Sequence, residues 1–201
     1  MKYLLSLLLV ATLQVTALSA PDYDVEQPSF VVRVEDDHGS YMYTSTGSMV
    51  RADLILTCEH AVRDRTPGSI SVVFKDGAKV KARVIRENPA HDLSLLQIKP
   101  RFDVGIVQPG FDPQMGDTVT ICGFPKAGPY AEVTGEIIDT LKQPQGFEVD
   151  EEAIQGMSGG PVLDGERNLV GVVWGSSANE AAVTGLKKIK AFFLDELDNS
   201  E

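Results

Sequence analysis

Basic residues and sulfur are both scarce in this chain. Lysine and arginine number 18 against 29 aspartates and glutamates, a formal net charge of −11. Such a polyanion is repelled by nucleic acid and by anionic lipid, so neither is an expected partner; it would attract basic polypeptide. Cys58 and Cys122 are the only thiols. Two cysteines do not build a disulfide scaffold, and with three histidines at these spacings they make no zinc motif, so no metal or cofactor is expected. Both lie in or at the end of apolar runs, which fits small buried reduced thiols; a disulfide between them stays open, because sequence does not show their separation.

Long apolar runs are lacking too, except at the start. Residues 4–13 form an apolar run after Lys2, broken by Thr12 and then by Gln14 and Thr16 beyond it, and the small residues Ala17, Ser19 and Ala20 follow. That is the pattern of an export signal over residues 1–20, with a mature chain from about Pro21 that is secreted or periplasmic. An uncleaved membrane anchor is the alternative, and the polar interruptions count against it. No other segment is long and apolar enough to span a bilayer, so no membrane contact is expected once the signal is removed.

Helical periodicity is nearly missing. The chain reads instead as short strands parted by turn signals, at 29–35, 41–50, 53–57, 69–75, 79–87, 93–99, 117–122, 130–140, 146–150, 161–164, 168–174 and 181–185. Asp76-Gly77 and Asp164-Gly165 are hairpin turns, since these pairs tolerate positive φ. Such a pattern is all-β, a barrel or a sandwich. At 201 residues and 43% apolar composition the chain can bury a substantial core. Pro100, Pro109, Gly110, Pro113 and Gly116 cluster into a linker over 100–116. Only 186–197, apolar at 189, 192, 193, 194 and 197, has helical spacing, and it predicts a short C-terminal helix.

Against that background three settings stand out. Leu54-Ile55-Leu56-Thr57 leads to His60; Asp92 opens the alternating run Leu93-Ser94-Leu95-Leu96-Gln97-Ile98; Ser158 sits in Gly156-Met157-Ser158-Gly159-Gly160-Pro161. A serine hydroxyl is a weak nucleophile that needs a base, and the base needs a third group to fix its tautomer. His60 is the candidate base, Asp92 its orienter and Ser158 the nucleophile. The glycines suit a turn that aims backbone N–H groups at one spot, and the amides of Gly156 and Ser158 are the candidate oxyanion hole. Asp92 would raise the His60 pKa and desolvation would lower it, so partial cancellation near the ordinary value of about 6.5 is expected. The three lie far apart in sequence, so only a tertiary fold unites them.

With these motifs, and with Thr46-Gly47-Ser48-Met49-Val50 and Gly123-Phe124-Pro125, the chain resembles the trypsin-like serine proteases, closest to the exported HtrA-type enzymes, over about residues 29–186. The resemblance implies two six-stranded β-barrels with the active site between them. The first would span about 29–105 and carry His60 and Asp92; the second, about 115–186, would carry Ser158, with a helix at 186–197. It implies a serine endopeptidase of polypeptide substrates, working through an acyl-enzyme. Val173, Trp174 and Gly175 correspond to the substrate-pairing strand. The digestive enzymes' serine that supports the catalytic aspartate is replaced by Val173. Met157 stands where those enzymes place the aspartate that pairs with a newly cut N-terminus, so no second activating cut is expected. Too few residues follow Ser158 for a PDZ domain within this sequence. Glu152, six residues before the serine, is the candidate for selecting Lys or Arg before the scissile bond; a solvated acidic loop, and the small aliphatic preference of HtrA-type relatives, are the competing expectations.

Two rival functions follow. A catalytically silent peptide-binding module on the same fold would be expected to lose one of His60, Asp92 and Ser158. An α/β-hydrolase esterase fails on order, because that class runs Ser, acid, His.

Overall fold

The computed structural model describes residues 20–140, 146–177 and 179–198, the side chains of 195–198 excepted. The export signal expected over 1–20 lies, but for Ala20, outside the described residues. No described helix is long and apolar enough to cross a membrane.

Seven strands form the first half: β1 (Val31–Asp37), β2 (Met42–Arg51), β3 (Leu54–Thr57), β4 (Ile70–Val73), β5 (Lys79–Lys81), β6 (Arg83–Asn88) and β7 (Leu93–Gln97). Six form the second: β8 (Thr118–Gly123), β9 (Ala131–Asp139), β10 (Gly146–Val149), β11 (Pro161–Leu163), β12 (Leu169–Ser177) and β13 (Glu180–Gly185). The helix α1 (Leu186–Asp198) follows. β8–β13 close into a barrel in the order β10-β13-β12-β11-β8-β9.

The first half corrects the expectation of two equal six-stranded barrels. It is a seven-stranded sheet, β5-β4-β1-β2-β3-β7-β6, whose edge strands are not hydrogen-bonded to each other. The reason lies at Ala82. The single strand expected over 79–87 is parted there: β5 pairs with β4, β6 pairs with β7, and the Ala82 amide still donates to the Ile70 carbonyl. The sheet therefore curls until its two edges are successive pieces of one chain segment.

Alternate residues of several strands feed different cores. Ile55 and Leu96 enter the interior of the first sheet, with Val32, Val34, Met49 and Phe74. Ile121 and Val173 enter the barrel, with Val133, Val149 and Met157. Their neighbours Leu56, Leu95, Cys122 and Val172 point the other way, into a third cluster with Phe124, Ile189 and Phe192. This third core joins the halves and holds α1. Strands buried on both faces read as continuous apolar runs, as Leu54-Ile55-Leu56 does. β9, one face of which is wet, alternates buried and exposed.

Helix α1 docks through Leu186, Ile189 and Phe192, each at most 2% exposed, and the Arg86 guanidinium lies 4.9 Å from the centre of the Phe192 ring. Phe192→Ala is expected to lower stability by about 3–5 kcal/mol through lost burial and a residual cavity. Leu194→Ala, at a 63% exposed position, is expected to change it by less than about 0.5 kcal/mol. Urea midpoints check both, and equal midpoints would contradict this docking.

Candidate active site

His60 and Asp92 meet because β3 and β7 are antiparallel neighbours. Thr57 is opposite Ser94, so the chain running forward from Thr57 and the chain running back from Ser94 leave the sheet at the same end. Asp92 sits there with φ 50°. Its Oδ1 accepts the His60 backbone N–H at 2.7 Å, and its Oδ2 bonds His60 Nδ1 at 2.6 Å. One carboxylate thus fixes both the backbone and the ring of His60.

Ser158 arrives from the second barrel on a turn that needs glycine twice. Gly156 has φ +100° and Gly159 φ +80°, and a Cβ on Gly159 would lie 2.2 Å from Thr57 Oγ1 and 2.3 Å from the Thr46 carbonyl. This close approach ties the turn to the first sheet. Thr46 Oγ1 donates to the Gly156 carbonyl at 2.8 Å and accepts from the Phe124 amide at 3.2 Å. The Thr46 amide donates to the Ser158 carbonyl at 2.9 Å, while Thr57 Oγ1 donates to the Thr46 carbonyl at 2.7 Å. Thr46 is fully buried. Among the described residues, no protein acceptor takes the amides of Gly156 and Ser158.

His60 and Ser158 line one cleft of about 260 Å3, with Gly156, Gln155, Asp36 and Tyr43. No hydrogen bond joins the His60 ring to Ser158 in this structure. The His60 Nε2 instead has Cys58 Sγ at 3.7 Å. Catalytic hydrogen bonds in free enzymes are often long and tighten with substrate. Cys58 and Cys122 are both buried and free, and burial pushes the Cys122 thiol up to about 12. Cys58, His60 and Asp92 have potential ligand atoms within 4.8 Å of one another. Both Asp92 oxygens are already bonded to His60, so the group fits a positioned base better than a metal cage.

Val173 is drawn into the serine turn: its carbonyl accepts from Gly159 at 2.8 Å and its amide donates to the Gly160 carbonyl at 3.0 Å. A register shift between Val173 and Gly175 follows, so Trp174 and Gly175 carry the part of this strand beyond the turn's bonds. Met157 is 0% exposed within the barrel core, where it offers nothing to an ammonium group. Glu152 is exposed and does not line the cleft. Its carboxylate lacks the desolvation on which a strong preference for a cation depends. Sequence reasoning missed three contributors: Thr46, whose segment was visible but whose bonds were not; Cys58 beside Nε2; and Asp36, 2% exposed at the cleft.

A histidine held by a carboxylate, sharing a cleft with a serine that has two unspent amides beside it, is an arrangement that could support acyl transfer. Comparison with known proteins bears on the family and the fold. Residues 45–172 match the family model described as a trypsin-like peptidase domain. A probable periplasmic serine endoprotease, DegP-like, of Bartonella henselae is 31% identical over 137 residues, 63% of this chain and 27% of that protein. A glutamyl endopeptidase of Staphylococcus aureus is 24% identical over 176 residues, 76% of this chain and 52% of that protein. The chain thus spans about a quarter and about half of these two curated relatives. Among solved structures, the active form of the Rv3671c protease from M. tuberculosis matches with TM-score 0.74 and 19% identity, over 83% of this chain and 80% of that one. The serine endoprotease from Yersinia pestis matches with TM-score 0.76 and 20% identity, over 86% and 64%.

The electrostatics of His60 depart from the expected cancellation. The hydrogen bond to Asp92, with Cys58 second, raises its pKa above the ordinary histidine value and outweighs desolvation. The raised pKa means that the imidazolium persists to higher pH, and the neutral base appears only above it. An NMR titration of His60 is therefore expected to show a midpoint above about 6.5. The midpoint should fall in Asp92→Asn and fall less in Cys58→Ala. A midpoint at or below 6.5, unmoved by Asp92→Asn, would contradict this account.

Proposed function

The chain belongs to the trypsin-like peptidase family, and from that premise we propose that it is a serine endopeptidase acting through His60, Asp92 and Ser158. The observation that carries the reading is the Asp92 carboxylate bonded to both the amide and Nδ1 of His60, in the cleft that Ser158 shares.

With Nδ1–H donated to Asp92, Nε2 carries the lone pair, which faces Cys58 Sγ in this structure. As substrate fills the cleft, Nε2 takes the Ser158 proton while Oγ attacks the scissile carbonyl. The carbonyl oxygen becomes an oxyanion and accepts from the amides of Gly156 and Ser158. The imidazolium, stabilised by Asp92, returns the proton to the leaving amine, and an acyl-enzyme remains. Water then repeats the sequence and frees Ser158. The acyl side of the peptide pairs along Trp174 and Gly175. Substrates are polypeptides, and export to the periplasm or beyond agrees with the periplasmic description of the DegP-like relative. Glu152 is the sequence's candidate for selecting a basic residue before the scissile bond; its exposure argues for a small role.

A catalytically silent peptide-binding module is the second reading. It draws on one observation, the absence of a His60–Ser158 hydrogen bond beside the 3.7 Å contact with Cys58.

A fluorophosphonate distinguishes the two, since only an activated serine reacts. Protein starting near Pro21 is expected to label without further cleavage. Ser158→Ala and His60→Ala are each expected to lose most peptidase activity, with residual acceleration of about 10³–10⁴ from binding and the oxyanion hole. Peptide hydrolysis by folded Ser158→Ala at the wild-type rate would reject the proposal.

A further inference from the structure

The cleft continues past His60 to a group of side chains that the triad does not use. At the paired ends of β1 and β2, Asp36 is the cross-strand partner of Tyr43. Asp36 is 2% exposed. Its Oδ2 bonds His38 Nε2 at 3.0 Å, while its Oδ1 is buried with no hydrogen-bond partner. The His38 ring is clamped, stacked on Tyr41 at 4.8 Å between ring centres and edge-on to Tyr43 at 5.6 Å. Asp64 completes the wall, and among the described residues no lysine or arginine lines the cleft, whose basic groups are His38 and His60.

An unpaired buried carboxylate oxygen is costly and seeks a donor. A cation bound in the cleft that Asp36 lines would offset this buried negative charge, while the Tyr43 ring offers a π face and Asp64 a second negative charge. An acidic side chain would meet like charge from both carboxylates. The overall charge of −11 steers cations the same way.

The side of the scissile bond follows from the chemistry. His60 returns its proton to the leaving amine, so the leaving peptide lies on the His60 side. The cleft is bounded there by Ala61 and Asp64, which follow His60 in sequence, and by the β1–β2 hairpin; Trp174 and Gly175 are not part of its lining. We propose that Asp36, Tyr43 and Asp64 form a subsite for an arginine or lysine side chain within the first two residues after the scissile bond. This rests on the peptidase reading for its orientation and deepens it.

Two measurements keep that dependence visible. The first is binding of fluorescent peptides to Ser158→Ala protein, with Arg, Lys, Ala or Glu at the two positions after the bond. It needs no hydrolysis. Arg and Lys peptides are expected to bind about tenfold tighter than Ala peptides, and Glu peptides weakest. The ratio of Arg to Ala affinity should collapse toward one in Asp36→Asn/Ser158→Ala. Should that variant fail to fold, the exposed positions Tyr43 and Asp64 give Tyr43→Ala and Asp64→Asn, each expected to reduce the ratio about threefold. The second is kcat/KM for the same peptides with wild-type protein. Equal binding of Arg, Ala and Glu peptides, or a preference unchanged by these substitutions, overturns the subsite. Selective binding without hydrolysis of any peptide overturns the peptidase reading and leaves the cation site standing.

Discussion

The site depends on Thr46. This one buried residue of the first sheet bonds the serine turn twice, through its amide to the Ser158 carbonyl and through its hydroxyl to the Gly156 carbonyl. Its own carbonyl receives Thr57, the last residue of the strand that leads to His60. The hydroxyl also accepts from Phe124 at the end of β8. The chain segments carrying His60 and Ser158 are thereby fixed to the same residue. Buried, fully paired networks of this kind specify one geometry, because every alternative leaves a polar group without a partner. Glycines at 159, 160 and 123 are the steric condition for it: a Cβ at any of them would fall within 3.0 Å of an atom of Thr46, Thr57, Cys122 or Met157.

The surrounding fold supplies rigidity to match. Three hydrophobic clusters, one in each half and one between them, leave the halves little freedom to slide. β3 and β7 bury residues on both faces, and their shared end holds Asp92 against His60. Backbone pairing thus brings Asp92 to His60, and its carboxylate then orients the ring. Asp92 and Cys58 favour the charged ring.

Much of this was legible in the sequence. The strand positions emerged because turn residues punctuate apolar segments, and the apolar Leu54–Leu56 and Leu93–Leu96 runs reflect burial on two faces. The settings of His60, Asp92 and Ser158 were legible because a strand end or a glycine turn marks each. The break at Ala82 was not, because alternation continues through it while the pairing partner changes from β4 to β7. Thr46 lies in the polar stretch Thr44-Ser45-Thr46-Gly47-Ser48, where nothing local distinguishes one hydroxyl from the next, and its partner Gly156 is 110 residues away. Asp36 has carboxylates on both sides in Glu35-Asp36-Asp37, and nothing local marks it as buried at the cleft. The serine turn's claim on the Val173 backbone depends on a register shift that no side chain announces.

Thr46→Val keeps the shape of the side chain and removes only its hydroxyl, so it isolates the link between the halves. The most direct measurement is the rate of fluorophosphonate labelling of Ser158 in this variant, alongside near-UV circular dichroism to verify the fold. The account predicts a native spectrum with labelling slowed about 100-fold, since small misplacement of a reacting group costs that much. A native spectrum with an unchanged labelling rate would contradict it.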